Sequence, residues 1–139
     1  MKQENKHRVF VYGTLKRGHR VRGLDHFGSA EFVGESETVD SDYNMWCLGA
    51  FPAISMDGES RVRGEVWDVD DGVMAVLDNI EGYPDFYNRT QVSTTQGDAW
   101  VYFLNSEDIK QFRMHRKLNG STQRHRRCHE YLTGPKRGP

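Results

Sequence analysis

The sequence has no apolar run approaching the roughly 18 residues that a membrane-crossing helix needs. Its first residues, Met1-Lys2-Gln3-Glu4-Asn5-Lys6, are polar, so nothing there reads as a secretory leader. Both absences lead us to expect a cytoplasmic protein with no membrane partner. Cysteine is scarce: Cys47 and Cys128 are the only two. Two are too few for a disulfide framework, and they have no metal-ligand spacing. Cys47 stands in an apolar stretch and reads as a small core residue, which by default points to a reducing compartment. Apolar content is low, at 36% with a mean hydropathy of −0.79. A chain of 139 residues supports one modest core, and part of it is expected to lie outside that core. No internal repeat is present.

Acidic residues are missing from one region. Residues 110–139 hold nine Lys or Arg against the single acid Glu130, a net of +8. The whole chain is −1, so residues 1–109 carry −9. This asymmetry divides the chain into an acidic domain, residues 1–109, and a basic C-terminal tail, residues 110–139, expected to be flexible. Arg124-His125-Arg126-Arg127 and the final Gly134-Pro135-Lys136-Arg137-Gly138-Pro139 typify the tail. It is either a solvated segment or an electrostatic contact for nucleic acid or another acidic partner. His115, His125 and His129 lack carboxylate or cysteine companions at metal spacing, so no metal is expected there.

What the acidic part does contain is a series of strand patterns. Residues 8–12 and 61–69 are the clearest, with weaker candidates at 29–37 and 42–48. Residues 87–95 and 99–104 read as a hairpin across Gln96-Gly97-Asp98. Between them lies one helix, about residues 71–80, with Asp70 or Asp71 as N-cap. Its apolar positions, Val73, Val76, Leu77 and Ile80, follow the helical period and predict one buried face. Strands dominate, and a mixed sheet curled into a barrel fits the order.

Glu81 follows the last of those apolar residues, and Gly82 is placed to stop the helix. A carboxylate at a helix C-terminus, beside apolar surface, holds its proton more tightly than usual. That suits a group that takes and returns a proton near neutral pH. Alone, the segment fits a solvated C-terminal glutamate better. A second feature is Val9-Phe10-Val11-Tyr12-Gly13-Thr14-Leu15, an apolar strand breaking into a glycine turn. Such a turn either simply connects, or presents backbone N–H groups to a carboxylate or an oxyanion. Tyr87 and Arg89 alternate after Glu81 and share one strand face. Tyr87 there lines a pocket or fills the core, and Arg89 either pairs with a carboxylate or is a surface or structural arginine. Phe51-Pro52-Ala53 reads as packing or pocket wall, and Trp46, Trp67 and Trp100 as core.

Taken in order, Tyr12-Gly13-Thr14-Leu15-Lys16-Arg17-Gly18, Gly64-Glu65-Val66, Leu77-Asp78-Asn79-Ile80-Glu81-Gly82 and Tyr87-Asn88-Arg89 resemble the gamma-glutamylcyclotransferase-like superfamily. Within it they are most similar to the gamma-glutamylamine cyclotransferase and AIG2-like branch. The resemblance spans roughly residues 8–104. It implies an α+β fold, a small mixed β-barrel with flanking helices. It implies Glu81 as catalytic acid/base, and Tyr12, Gly13, Thr14 and Leu15 as the loop that binds the gamma-glutamyl group. The implied reaction releases 5-oxoproline and a free amine from a small gamma-glutamyl substrate and requires no metal or other cofactor. The contrasting expectation is a non-catalytic binding protein of the same fold whose basic tail engages an acidic partner. Neither the released amine nor the oligomeric state is legible.

Overall fold

The computed structural model describes residues 6–12, 24–49 and 51–118. The central strand is β1 (Lys6–Val11). It pairs antiparallel with β5 (Arg63–Asp70) and parallel with β7 (Gly97–Phe103). Outside them lie β2 (Glu31–Glu37), on β5, and β6 (Asn88–Thr94), which forms a hairpin with β7. The order β2-β5-β1-β7-β6 makes one mixed five-stranded sheet. A second, antiparallel sheet is ordered β4-β3-β8, from β3 (Tyr43–Cys47), β4 (Pro52–Ser60) and β8 (Arg116–Leu118).

The expected mixed sheet is curled but is not a closed barrel. Its edge strands β2 and β6 meet at one end through a Thr38–Thr94 bridge. There the Val39 N–H donates to the Ser93 carbonyl and the Thr95 N–H to the Glu37 carbonyl, each at 2.9 Å. Among the described residues this is where the two edges pair. The small sheet is joined where the Leu104 N–H donates to the Ile54 carbonyl at 3.0 Å.

Strand alternation divides the interior in two. From β1, Val9 and Val11 enter a core shared with Trp67, Val69, Val73, Met74 and Leu77. Phe10, between them, enters the other core with Met45, Ile54, Val66, Val101 and Leu118. β5 is covered on both faces, so Gly64, Glu65, Val66 and Trp67 are buried in succession. Gly64 is dictated by close approach, since a Cβ there would lie 2.4 Å from the Val11 carbonyl oxygen.

Helix α1 (Asp71–Glu81) begins and ends where its sequence indicates. The Asp70 side chain caps it by accepting from the Val73 N–H at 2.9 Å. Gly82 stops it in the left-handed region, at φ 67°. The expected face needs one correction: Val76 is 42% exposed, and Met74 is buried instead. The inward stripe is therefore Val73, Met74, Leu77 and, one turn on, Glu81.

Cys47 is fully buried and disulfide-bonded, which corrects its reading as a plain core residue and removes that support for a reducing compartment. Cys128 lies outside the described residues. Beyond residue 109, β8 pairs with β3 and Leu118 is buried, so residues 116–118 belong to the packed structure. They follow the short α2 (Ser106–Lys110), which buries Ile109. Residues 119–139, the most basic part of the expected tail, fall outside the described residues.

Candidate active site

A cleft of about 250 Å³ opens where several chain ends converge. Because β1 and β7 run parallel, their C-terminal ends bring Phe10, Val11 and Tyr12 beside Tyr102. The last turn of α1 contributes Ile80 and Glu81. Phe51 and Pro52 come from the start of β4, and Phe86 and Tyr87 from the segment before β6. Glu81 is half-buried here because it lies one turn after Leu77, on the stripe that faces the sheet. It is the one charged residue among the described lining.

The three tyrosines of the wall have their hydroxyls engaged within the protein. Tyr12 donates to the Tyr102 carbonyl and accepts from the Ile54 N–H at 3.2 Å. Tyr87 donates to the Pro52 carbonyl at 2.6 Å. Tyr102 donates to Asp78 Oδ1 at 2.7 Å. Burial holds the Tyr12 proton well above the ordinary value of 10.0, with Tyr87 and the Glu81 carboxylate adding to the effect. Burial likewise raises Tyr102 strongly, reinforced by its hydrogen bond to Asp78. Both therefore remain neutral phenols through the physiological range, presenting rings to the cleft.

Behind Glu81 stands an ion pair. Asp78, three residues earlier on α1, accepts from Arg89 Nε at 2.9 Å and from a terminal guanidinium nitrogen at 3.2 Å. The guanidinium lies over the rings of Tyr83, at 4.5 Å, and Trp100, at 4.6 Å. Asp78 and Tyr83 thus tie the helix end to β6 and β7 on both sides of Glu81. The cleft mouth is aromatic. Phe86 meets Phe51 at 5.8 Å and Tyr87 at 5.1 Å, edge to face, and Phe112 packs on Phe51 at 5.7 Å.

Of the residues singled out in the sequence, Glu81, Tyr12 and Tyr87 are brought together. Gly13, Thr14 and Leu15, with Lys16 and Arg17, lie outside the described residues. Arg89 does not line the cleft; its carboxylate partner is Asp78. Phe51 and Pro52 form wall, whereas Ala53 is buried. Trp67 is core, and Trp46 and Trp100 pack against it partly exposed. Tyr102, Phe86 and Asp78 were not legible as site residues. The signal for Asp78 was its position one helical turn before Glu81; Tyr102 looked like any aromatic of an apolar strand. Among the described residues, no group of three His, Cys, Asp or Glu is placed to hold a metal, and no helix is long and apolar enough to cross a membrane.

The family model for gamma-glutamyl cyclotransferase, AIG2-like, matches residues 9–124. A Vibrio cholerae protein, provisionally named a gamma-glutamylcyclotransferase, is 39% identical over 97 residues, covering 69% of this chain and 80% of that one. A Drosophila melanogaster protein with the same provisional name is 36% identical over 112 residues, covering 70% and 69%. Among solved structures, the chain is similar to an AIG2-like protein of Mus musculus, with TM-score 0.59, 30% identity and coverage of 71% and 77%. It is also similar to protein ytfP of Escherichia coli, with TM-score 0.60, 27% identity and coverage of 81% and 92%. The sequence match and the shared fold lead to one conclusion: the chain belongs to the gamma-glutamyl cyclotransferase, AIG2-like family.

Proposed function

We propose that the protein cyclises a gamma-glutamyl amide to 5-oxoproline, with Glu81 carrying the protons. The observation that bears most weight is Glu81, the one charged residue among the described lining, facing a cleft walled by three tyrosines whose hydroxyls donate to protein acceptors. In the reaction, the alpha-amine attacks the gamma-carbonyl carbon of the same molecule. A new C–N bond closes the five-membered lactam, and the original amide C–N bond breaks. The enzyme's task is to fold the substrate, not to gather two reactants. Glu81 takes a proton from the alpha-ammonium and returns it to the departing nitrogen. Tyr12 and Tyr87 flank it as ring surfaces, and backbone N–H groups of Gly13, Thr14 and Leu15 hold the substrate carboxylate or the oxyanion. As written, the chemistry draws on no metal and no nucleotide.

The test is product analysis on a panel of gamma-glutamyl amines and dipeptides, with wild type beside Glu81→Gln. The expected result is one 5-oxoproline per amine released, falling by at least about 100-fold in the variant. Undiminished release by the variant, or glutamate in place of 5-oxoproline, would contradict the proposal.

A further inference from the structure

Resting on that reading, we propose that Arg89, which does not reach the cleft, is a positioning residue for Glu81. Its grip on both sides of the helix end sets the rate of proton transfer. The last turn of α1 holds a local conflict: two carboxylates, Asp78 and Glu81, and no basic residue. Both sit where the helix dipole disfavours negative charge, and a helix end frays readily. Gly82 closes the backbone there by donating to the Asn79 and Asp78 carbonyls. The charge is answered from outside the helix, by Arg89 on β6.

Three residues before Glu81, Asp78 takes both arms of the Arg89 fork, at 2.9 and 3.2 Å. Two residues after it, the Tyr83 ring lies on the guanidinium at 4.5 Å, with Trp100 of β7 at 4.6 Å. Tyr102, directly across from Arg89 in the β6–β7 ladder, donates to the same Asp78 oxygen as Nε does. The side chains of Arg89 and Asp78 are 19% and 23% exposed, so the pair is screened less than a surface pair. Only a planar cation can fork a carboxylate and stack on rings at once. Proton transfer needs the Glu81 carboxylate within hydrogen-bond reach, and a misplacement of about 1 Å can cost on the order of 100-fold. A second fork supplies the contrast. Arg8 donates to both oxygens of Asp68, at 2.8 and 3.0 Å, and to the Gln96 carbonyl at 2.7 Å. Gln96 immediately precedes β7, so this fork lies away from the cleft, which sits at the other end of that strand.

The experiment uses the full chain and one gamma-glutamyl amide, with Arg89→Ala, Arg89→Lys and Arg8→Ala beside wild type. Each is assayed at a temperature where circular dichroism shows it folded. Arg89→Ala should lower kcat by about tenfold or more and leave KM within about twofold. Arg89→Lys should recover little of the loss, and it carries the same prediction should Arg89→Ala fail to fold. Guanidinium ion, far below denaturing concentrations, should restore part of kcat in Arg89→Ala, whereas ammonium should not. Arg8→Ala should lose stability yet keep kcat within about twofold of wild type. An unchanged kcat in the folded Arg89 variants, a change confined to KM, or an equal fall in Arg8→Ala overturns the inference and leaves the cyclotransferase reading intact. If wild type yields no 5-oxoproline, that reading fails, and a second measurement decides the inference. The NMR signal of the Glu81 side-chain carboxyl should move in Arg89→Ala, return with guanidinium, and stay in place in Arg8→Ala. A Glu81 signal indifferent to Arg89 would dismiss the positioning role.

Discussion

The floor and the mouth of the cleft are made of similar residues but built differently. On the floor, every tyrosine hydroxyl has a protein partner, and the helix end carrying Glu81 is tied to β6 and β7 through Asp78, Arg89 and Tyr102. At the mouth, the side chains of Phe51 and Phe86 meet their neighbours through ring edges, and Phe86 is 44% exposed. On the proposed function, the difference separates two tasks. Proton transfer needs one carboxylate held in one place. Accepting a varied amine needs surface, and apolar contact tolerates variation in what lies against it.

Substitutions at four positions break or sharpen this contrast. Leu77→Ala should act most strongly, because Leu77 is 0% exposed and supports the helix one turn before Glu81. A cost of about 2–5 kcal/mol is expected, read as a fall in denaturant midpoint. Arg89→Met should follow, at about 1.5–3 kcal/mol, since it removes two charge-assisted hydrogen bonds from the partly buried Asp78. The same measurement on Arg89→Lys should show most of that loss, because an ammonium cannot reproduce the fork.

Tyr12→Phe comes third, at about 1–2 kcal/mol, because it leaves the Ile54 N–H and the Tyr102 carbonyl without their partner. It carries a pH signature as well. The Tyr12 pKa is raised on folding, so its contribution is complete below the unfolded value of 10.0 and lost as pH rises toward the folded value. Alkaline unfolding above pH 10 should therefore be shallower in Tyr12→Phe than in wild type. Phe86→Ala should change stability least, by about 0.5 kcal/mol or less, because Phe86 is 44% exposed. A large loss of stability there would place Phe86 with the floor and erase the contrast.

Much of the frame was legible. β1 carries the apolar run Val9-Phe10-Val11, β5 lies in a stretch that reads as a strand, and α1 has an aspartate cap, a helical period and a glycine stop. The face of α1 was read one position off. Met74 and Val76 are both apolar, so the periodicity fits either stripe, and only packing against the sheet selects Met74. β4 was not legible as a strand. Pro52 opens it, Asp57-Gly58-Glu59 interrupts its apolar pattern, and as an edge strand it tolerates both. β8 was hidden in a basic stretch, because three residues pairing with β3 need only Leu118 to face inward.

For the site, Glu81 and Tyr12 stood out because each follows a patterned element and precedes a glycine. Asp78 and Tyr102 did not, because their significance comes from contact across 24 residues of chain. Nothing in a strand such as Trp100-Val101-Tyr102-Phe103 says which aromatic reaches a cleft; the parallel pairing of β1 with β7 decides it.

The most direct test of the account compares Glu81→Gln with Tyr102→Phe and Tyr12→Phe on one gamma-glutamyl amide, under conditions where all three variants remain folded. If Glu81 alone moves protons and the hydroxyls only hold the floor together, kcat should fall by at least about 100-fold in Glu81→Gln. It should change by less than about tenfold in the tyrosine variants. Equal losses in all three would contradict that division. Full activity in Glu81→Gln would remove the carboxylate from the mechanism altogether.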